Sequence, residues 1–333
     1  MLRGDTFSPL SAATLHRGRG AQPSVSVAAG IRRRGLLAAV LSLPVLRGAG
    51  AAEGQPVVVA SKSDTEGALT GSMIALCLED LGIPVARRLG LGPTLIVRTA
   101  LLSGEVDIYP EYTGNGAFFT GTESDPLWKD AGKAFEAIRA ADAGRGLVWL
   151  RRAPADNTWL IAVRGDLARR EGLVSMTDFA GAVRRGLITL AASTEFVESP
   201  AALPSFEAAY GFTMPFARII SLPGGDTAVT ARAAAQGISG VNAGMVYGTD
   251  GALDALDLAV MTDPKGAQIV YEVAPVARAA ILARYPEIPG KLGPLFAALD
   301  APTLRRLNAR ITVEGEVAEA VAGRFLRERG FIG

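Results

Sequence analysis

The chain has 333 residues, of which 49% are hydrophobic and 20% charged, and its formal net charge is +1. A chain of this length and balance can bury a sizeable core, and it has no basic excess to neutralise phosphates, which excludes nucleic acid as a partner. Cys77 is the only cysteine and His16 the only histidine. An internal disulfide is therefore excluded. His16 lies within the N-terminal segment that we expect to be removed, so a Cys/His zinc site and a histidine-based catalytic triad are excluded for the mature chain, and we expect neither a metal nor a cofactor.

Residues 1–52 have the pattern of an export signal. The arginines Arg32–Arg34 precede an apolar run, Gly35–Leu46, and a stretch of small residues at 49–52. A basic segment, a short apolar segment and a small-residue cleavage site are typical of a secretory signal peptide, and the paired arginines suit the twin-arginine route. The run is shorter than the roughly 20 residues of a membrane span. We expect a periplasmic protein whose mature chain has no histidine and no membrane span.

The first part of the mature chain predicts alternating strands and helices. Strands are predicted over 56–63, 83–92 and 106–112, and helices over 65–82 and 93–105, the second opened by a proline and closed at Gly104. This alternation is typical of a parallel sheet covered by helices, and ligands of such sheets bind beyond the carboxyl ends of the strands. The segments "SKSDTEG" and "YPEYTG" lie at those ends.

The same alternation continues to the C-terminus. Helical segments are predicted over 125–146, 176–186, 202–212 and 227–237, strands over 158–163, 187–193, 217–222, 256–264 and 268–278, and three helices from residue 279, the middle one over 291–311. The segment "SGVNAGMVYGTDG" resembles the stretch around "VDIYPEYTG", which hints at a second lobe of similar build. We therefore expect an α/β protein with a first lobe from 53–155 and 265–333, and a second from 156–264.

Aromatic residues cluster at the predicted strand ends, although they make up only 6% of the chain. An aromatic face attracts a cation, and several such faces recognise a quaternary ammonium group that offers no hydrogen bonds. The candidate ligand-binding residues are Tyr109, Tyr112, Trp159 and Tyr247, together with the polar Ser61, Thr65, Thr113 and Asn157. The alternative is that these rings only pack in the core.

Two other kinds of site stay open at this point. Asp107 and Glu111 could act as general acid and base, which would make the protein a carboxylate-dependent enzyme. A receptor for an amino acid or another anion would need an arginine facing the ligand. The candidates for that role are Arg98, Arg151, Arg152 and Arg164.

Six segments in order resemble the substrate-binding protein of the glycine betaine/choline/carnitine (osmoprotectant) ABC transporters. They are "VVVASKSDTEGALTGSMIALCLEDLG", "ALLSGEVDIYPEYTG", "DNTWLIAV", "YGTDGAL", "YEVAPVAR" and "RRLNARITVEGEVAEAVAGRFLRERGFI". The resemblance implies a type II periplasmic binding protein, with two α/β lobes, two hinge crossovers and no enzymatic activity. It implies an aromatic cage containing Tyr112, Trp159 and Tyr247 with Asn157 beside it, and an ABC permease and its ATPase as partners. We expect a monomer.

The chain departs from the family pattern in two segments. Asp64 and Gly67 stand where the family has phenylalanine and glutamine in its "SKNFTEQ" loop, and Ser199 stands where "FLERPDGLP" has arginine. Contacts to a ligand carboxylate are therefore lost or rebuilt. Asp64 favours a more positive ligand, such as choline.

Overall fold

A computed structural model of the chain describes residues 54–222 and 227–333. The export signal predicted for 1–52 lies outside the described residues. The strands are β1 (Val57–Lys62), β2 (Val85–Gly92), β3 (Ile108–Tyr112), β4 (Leu147–Trp149), β5 (Trp159–Arg164), β6 (Leu190–Ser193), β7 (Ile219–Leu222), β8 (Ala243–Tyr247), β9 (Leu258–Val260) and β10 (Val273–Arg278).

The α-helices alternate with these strands and then gather at the C-terminus. They are α1 (Thr65–Asp80), α2 (Thr94–Ser103), α3 (Asn115–Thr120), α4 (Ala131–Ala143), α5 (Gly165–Glu171), α6 (Met176–Arg184), α7 (Thr194–Glu198), α8 (Leu203–Tyr210), α9 (Thr227–Gln236), α10 (Ala252–Ala255), α11 (Ala279–Arg284), α12 (Ile288–Ala297), α13 (Ala301–Thr312) and α14 (Ala318–Glu328). Within the described ranges, none of them is both long enough and apolar enough to cross a membrane.

The first sheet has the strand order β2-β1-β3-β10-β4. Strand β1 runs parallel to β2 and β3, and β10 runs antiparallel to β3 and β4. The β-branched start of β1 suits a covered strand, and Val57 and Val59 are fully buried. Asp64 caps the start of helix α1, because its carboxylate accepts a hydrogen bond from the Gly67 N–H at 2.7 Å. The end of β1 and the start of α1 are thus fixed together at one sheet edge.

The second sheet has the strand order β7-β6-β8-β5-β9. Strand β6 runs parallel to β7 and β8, whereas β5 runs antiparallel to β8 and β9. Its core contains the fully buried Phe179, Phe196 and Phe206. Each sheet therefore combines parallel strands with one antiparallel strand in the fourth position, and each has its own hydrophobic core.

Two segments connect the sheets. The chain passes from β4 to β5 through residues 150–158 and returns from β9 to β10 through residues 261–272. Asp156 and Glu272 form an isolated antiparallel bridge, and the Asn157 N–H donates to the Tyr271 carbonyl at 2.9 Å. The two segments therefore run side by side, which is the arrangement of a double hinge.

The C-terminal part differs from the sequence prediction in one element. Four helices follow residue 278, not three, because the predicted helix over 291–311 is divided into α12 and α13. Asp300 caps α13 by accepting from the Thr303 N–H at 2.9 Å, and Pro302 lies in the first turn of that helix. A proline near a helix start removes a backbone donor that a continuous helix would need. The prediction of one helix there is wrong.

Candidate functional site

A cavity of about 860 Å³ lies where the carboxyl ends of β1, β3 and β8 and the start of β5 meet. Small-molecule sites have volumes of about 300 to 1,000 Å³, and open α/β sheets bind ligands at this edge. The cavity lining includes both sheets and the segments between them. Its residues are Lys62, Ser63, Asp64, Thr65, Glu66, Thr94, Leu95, Tyr112, Asn115, Phe118, Phe119, Asn157, Trp159, Glu195, Thr227, Ala228, Tyr247, Thr249, Asp250, Gly251, Ala252, Tyr271, Asn308 and Thr312.

Five of the eight ligand-binding residues predicted from the sequence line this cavity. They are Thr65, Tyr112, Asn157, Trp159 and Tyr247. Tyr112 comes from the first sheet, whereas Trp159 and Tyr247 are directly paired in the second. The structure therefore places rings from both sheets around one hollow.

The other three predicted residues are fully buried outside the lining. Tyr109 lies three positions before Tyr112 on β3, so strand alternation turns it to the opposite face, where its hydroxyl donates to Glu111 at 2.6 Å. The Ser61 hydroxyl accepts from the Gly90 N–H at 2.9 Å, within the first lobe. Thr113 directly follows β3, and its hydroxyl donates to the Val270 carbonyl of the segment 261–272 at 3.2 Å. These three side chains form hydrogen bonds inside the protein and do not reach the cavity.

Trp159 is the centre of an aromatic group in the cavity. Its ring meets that of Tyr271 edge to face, with 6.1 Å between the ring centroids, and it lies directly opposite Tyr247 in the pairing of β5 with β8. Burial raises the pKa of Tyr247 to about 12, so this phenol stays neutral. The Tyr271 hydroxyl is buried without a hydrogen-bond partner among the described residues. A ligand with a polar end can bond to it.

Sequence reasoning missed Tyr271. The segment "QIVYEVAPVAR" predicts a strand, and nothing local indicates that its tyrosine faces the lining. The glycine of the "PEYTG" segment, which packs against Tyr271 in the fold, is the related signal in the sequence. A Cβ on Gly114 would lie 2.7 Å from the Tyr271 ring. The glycine of that motif is therefore required for the close approach of this ring to the backbone.

Lys62 was also missed, although it stands between two residues of the predicted loop site. It is 6% exposed, forms an ion pair with Glu111, and places its ammonium nitrogen 4.4 Å from the centroid of the Tyr112 ring. Lys62 thus covers one face of Tyr112 with a resident cation. Tyr112 has at most its other face and its edge left for a ligand.

Glu66 is a third residue that the sequence did not reveal, because a glutamate in the first turn of a helix is usually exposed. It is 4% exposed and accepts hydrogen bonds from the Tyr112 hydroxyl at 2.8 Å and the Asn308 amide at 2.9 Å. The same Asn308 amide also donates to the Thr249 carbonyl at 2.9 Å, and burial raises the pKa of Glu66 to about 7. Glu66 therefore holds Tyr112 in place and joins the first lobe to the turn after β8.

The carboxylates considered as an acid–base pair do not line the cavity. Asp107 accepts from the Val58 N–H at 2.9 Å and pairs with Arg278 at 3.0 Å. Glu111 is fully buried, pairs with Lys62 and accepts from the Asn115 amide at 2.7 Å. Both stabilise the first lobe. Among the described residues, no group of three His, Cys, Asp or Glu side chains is placed to hold a metal ion.

The arginines considered for an anion site also lie outside the lining. Arg98 is buried against Asp142, with two bonds of 2.8 Å and 2.5 Å, and Arg164 pairs with Asp166 at 2.5 Å. Arg152 pairs with Glu272 beside the hinge, and Arg151 is exposed. The residues described along the cavity thus include one basic side chain, Lys62, whose charge Glu111 already balances.

Two departures from the family pattern belong together. Asp64 lines the cavity and also caps α1. A Cβ added to Gly67 would lie 3.0 Å from the Asp64 carboxylate. A larger residue at position 67 would crowd this cap, which explains why a small residue accompanies Asp64. Ser199 ends α7 and is not part of the lining.

Comparison with known proteins agrees with this architecture. Residues 55–328 match the family described as the substrate-binding domain of ABC-type glycine betaine transport systems. The chain is 51% identical over 278 residues to the glycine betaine-binding protein YehZ of Escherichia coli, covering 83% of this chain and 91% of that protein. It is 31% identical over 301 residues to a glycine-betaine-binding protein of Pseudomonas aeruginosa, with coverages of 84% and 90%.

Among solved structures, apo YehZ from Escherichia coli superposes with a TM-score of 0.73 at 50% identity. The match covers 84% of this chain and all of that one. The two-lobed type II periplasmic binding fold expected from the sequence is thereby confirmed. The protein is a substrate-binding component and not an enzyme. The chain belongs to the family of substrate-binding domains of ABC-type glycine betaine transport systems.

Proposed function

We propose that the cavity binds a small quaternary-amine osmoprotectant, such as glycine betaine, choline or carnitine, in a cage of aromatic rings. One observation carries this proposal: Trp159, Tyr247 and Tyr271 line the same cavity, with Tyr112 opposite them on the first sheet. A quaternary ammonium group offers no hydrogen-bond donor, and ring faces are the groups that attract it. The names of the two sequence relatives point to the same chemistry.

The cage rings differ in what they contribute. Trp159 is fixed by its contacts with Tyr271, Phe196 and Tyr247, so its indole is held before a ligand arrives. Tyr112 is held from its hydroxyl by Glu66 and covered on one face by Lys62. We infer that Trp159, Tyr247 and Tyr271 supply the main cation-binding faces and that Tyr112 closes the cage from the other side. Thr65 and Asn157 remain as polar contacts.

Capture requires two lobes that close. We assign 53–155 and 265–333 to one lobe and 156–264 to the other, with the connections 150–158 and 261–272 as the hinge. Thr113 anchors the first lobe to this hinge, since its hydroxyl oxygen also accepts the Glu272 N–H at 3.1 Å. Closure buries the ligand, and the closed monomer delivers it to an ABC permease and its ATPase. The location is the periplasm, reached after removal of residues 1–52.

The rival ligand is an amino acid or another anion. The lining has no described arginine, and four of its residues are carboxylic acids: Asp64, Glu66, Glu195 and Asp250. Such a lining repels a carboxylate, so we favour the quaternary amine.

Calorimetry on the exported protein with choline, glycine betaine, carnitine and proline betaine tests the proposal, with glutamate as the anionic control. We expect at least one quaternary amine to bind with a Kd below 1 mM, about −4 kcal/mol, and glutamate not to bind. Binding of glutamate alone would refute the aromatic-cage proposal. Substituting lysine for Arg33 and Arg34 tests the export route, since the twin-arginine route requires that pair.

A further inference from the structure

Glu66 is a buried carboxylate without a cationic partner. It is 4% exposed and lines the cavity, and it forms no ion pair with any residue in the described part of the chain. Its hydrogen-bond donors are the neutral side chains of Tyr112 and Asn308. A buried charge is costly unless an opposite charge compensates it. The ligand-free site is therefore one counter-ion short.

The other charged groups around Glu66 do not supply that counter-ion. Asp64 stands at the start of the same helix and raises the pKa of Glu66 further by repulsion. From β1, Lys62 lies over the Tyr112 ring but pairs with Glu111. From the second lobe, Asp250 follows Thr249, and Glu195 is the next acid on the lining. Lys62 is balanced by Glu111, whereas Asp64, Glu66 and Glu195 form no ion pair among the described residues, so these three acids make the described lining negative.

We propose that Glu66 is a specificity-determining residue whose carboxylate is the counter-ion of the bound ammonium group, so that the site prefers a net cation to a zwitterion. The inference rests on the proposed function, since it concerns the same cavity. Choline carries only the positive charge, whereas glycine betaine carries a carboxylate close to its ammonium group. A carboxylate bound in this cavity would share the lining with Asp64 and Glu195, and the one basic residue of the described lining, Lys62, is paired with Glu111. Choline is the better-matched ligand.

The pairing makes affinity depend on pH. Burial raises the pKa of Glu66 to about 7, so its carboxyl is half neutral near that pH and loses the counter-charge below it. A cation that binds the ionised form drives a proton off Glu66. If only that form binds, choline affinity falls about tenfold from pH 8 to pH 6.

Calorimetry of the wild type, Glu66→Gln and Glu79→Gln with choline and glycine betaine at pH 6 and pH 8 tests the inference. Glu79 is the matched control, an exposed glutamate on the same helix paired with Arg87. We expect the wild type and the control to bind choline more tightly than betaine at pH 8 and to lose about tenfold in choline affinity at pH 6. Glu66→Gln should bind choline at least tenfold more weakly and show no pH dependence. Retained choline affinity in that variant would overturn the inference.

Proton counting does not depend on the variant folding. Choline titrations of the wild type at pH 7, in two buffers of different ionisation enthalpy, should show release of about half a proton per ligand. No release would overturn the role of Glu66. If choline and betaine bind equally well and without protons, this inference fails while the proposed function stands. If neither binds, the proposed function itself has failed.

Discussion

Replacing Glu66 by glutamine is expected to stabilise the ligand-free protein, although it weakens binding. The pKa of Glu66 rises from 4.5 to about 7 on folding because the carboxylate loses its hydration. A raised folded pKa means that the folded state binds the extra proton. Its contribution to stability is therefore complete below about pH 4.5 and is lost as the pH rises through 7. Glutamine has no charge to desolvate and avoids this loss.

The size of the effect follows from the two pKa values. Relative to a side chain that stays neutral, titratable Glu66 lowers the free energy of unfolding by about 1 kcal/mol at pH 5 and about 3 kcal/mol at pH 8. The advantage of Glu66→Gln over the wild type should thus grow by about 2 kcal/mol between these pH values. A loss of stability from rearranged hydrogen bonds would be the same at both pH values, so it cancels from this difference. The Asn308 Oδ1, which has no partner among the described residues, can accept from the new amide if Asn308 turns.

Urea unfolding followed by tryptophan fluorescence, without ligand, measures the difference. Glu79→Gln serves as the control, and its difference from the wild type should change by less than about 0.5 kcal/mol over the same range because the site is exposed. A Glu66→Gln advantage that stays constant or shrinks between pH 5 and pH 8 would refute the idea that an ionised, desolvated carboxylate occupies this site.

Three further substitutions test the hinge and the cage. Thr113→Val leaves the buried Glu272 N–H without its acceptor, so urea unfolding should show a loss of stability of about 1 to 3 kcal/mol. The control, Thr99→Val on the exposed face of α2, should change stability by less than about 0.5 kcal/mol. Equal losses of stability in the two variants would mean that the bond between Thr113 and Glu272 does not stabilise the hinge. Gly114→Ala forces a Cβ against the Tyr271 ring, so it should raise the Kd for choline and lower the Tm. An unchanged Kd would mean that the position of the Tyr271 ring does not affect choline binding. Trp159→Ala should weaken choline binding about 30-fold in calorimetry, whereas Trp159→Phe should retain part of the affinity because it keeps an aromatic face. An equal loss in both variants would argue against a contact between choline and the ring face.

The sequence was sufficient for the α/β architecture because each strand and helix has a local pattern. The buried start of β1, the Asp64 cap and the glycine at 104 all act within a few residues of their own positions. The division between α12 and α13 was missed because the Asp300 cap and Pro302 were read as part of one helix. That signal was present in the sequence.

The site was only partly predictable, for two physical reasons. Tyr109 and Tyr112 lie three apart on a strand, so alternation puts them on opposite faces, a rule that could have separated them at the sequence level. Glu66 and Thr113 could not be assigned in this way. Their surroundings come from residues far along the chain, such as Asn308 and Val270, and only the folded arrangement brings these together.

A crystal structure of the protein with choline tests the cage most directly. We expect the choline nitrogen within about 6 Å of the ring centroids of Trp159, Tyr247 and Tyr271, in the cavity that Glu66 and Tyr112 close from the first lobe. Choline bound on another surface, or a cavity that stays without choline at saturating concentration, would contradict the assignment.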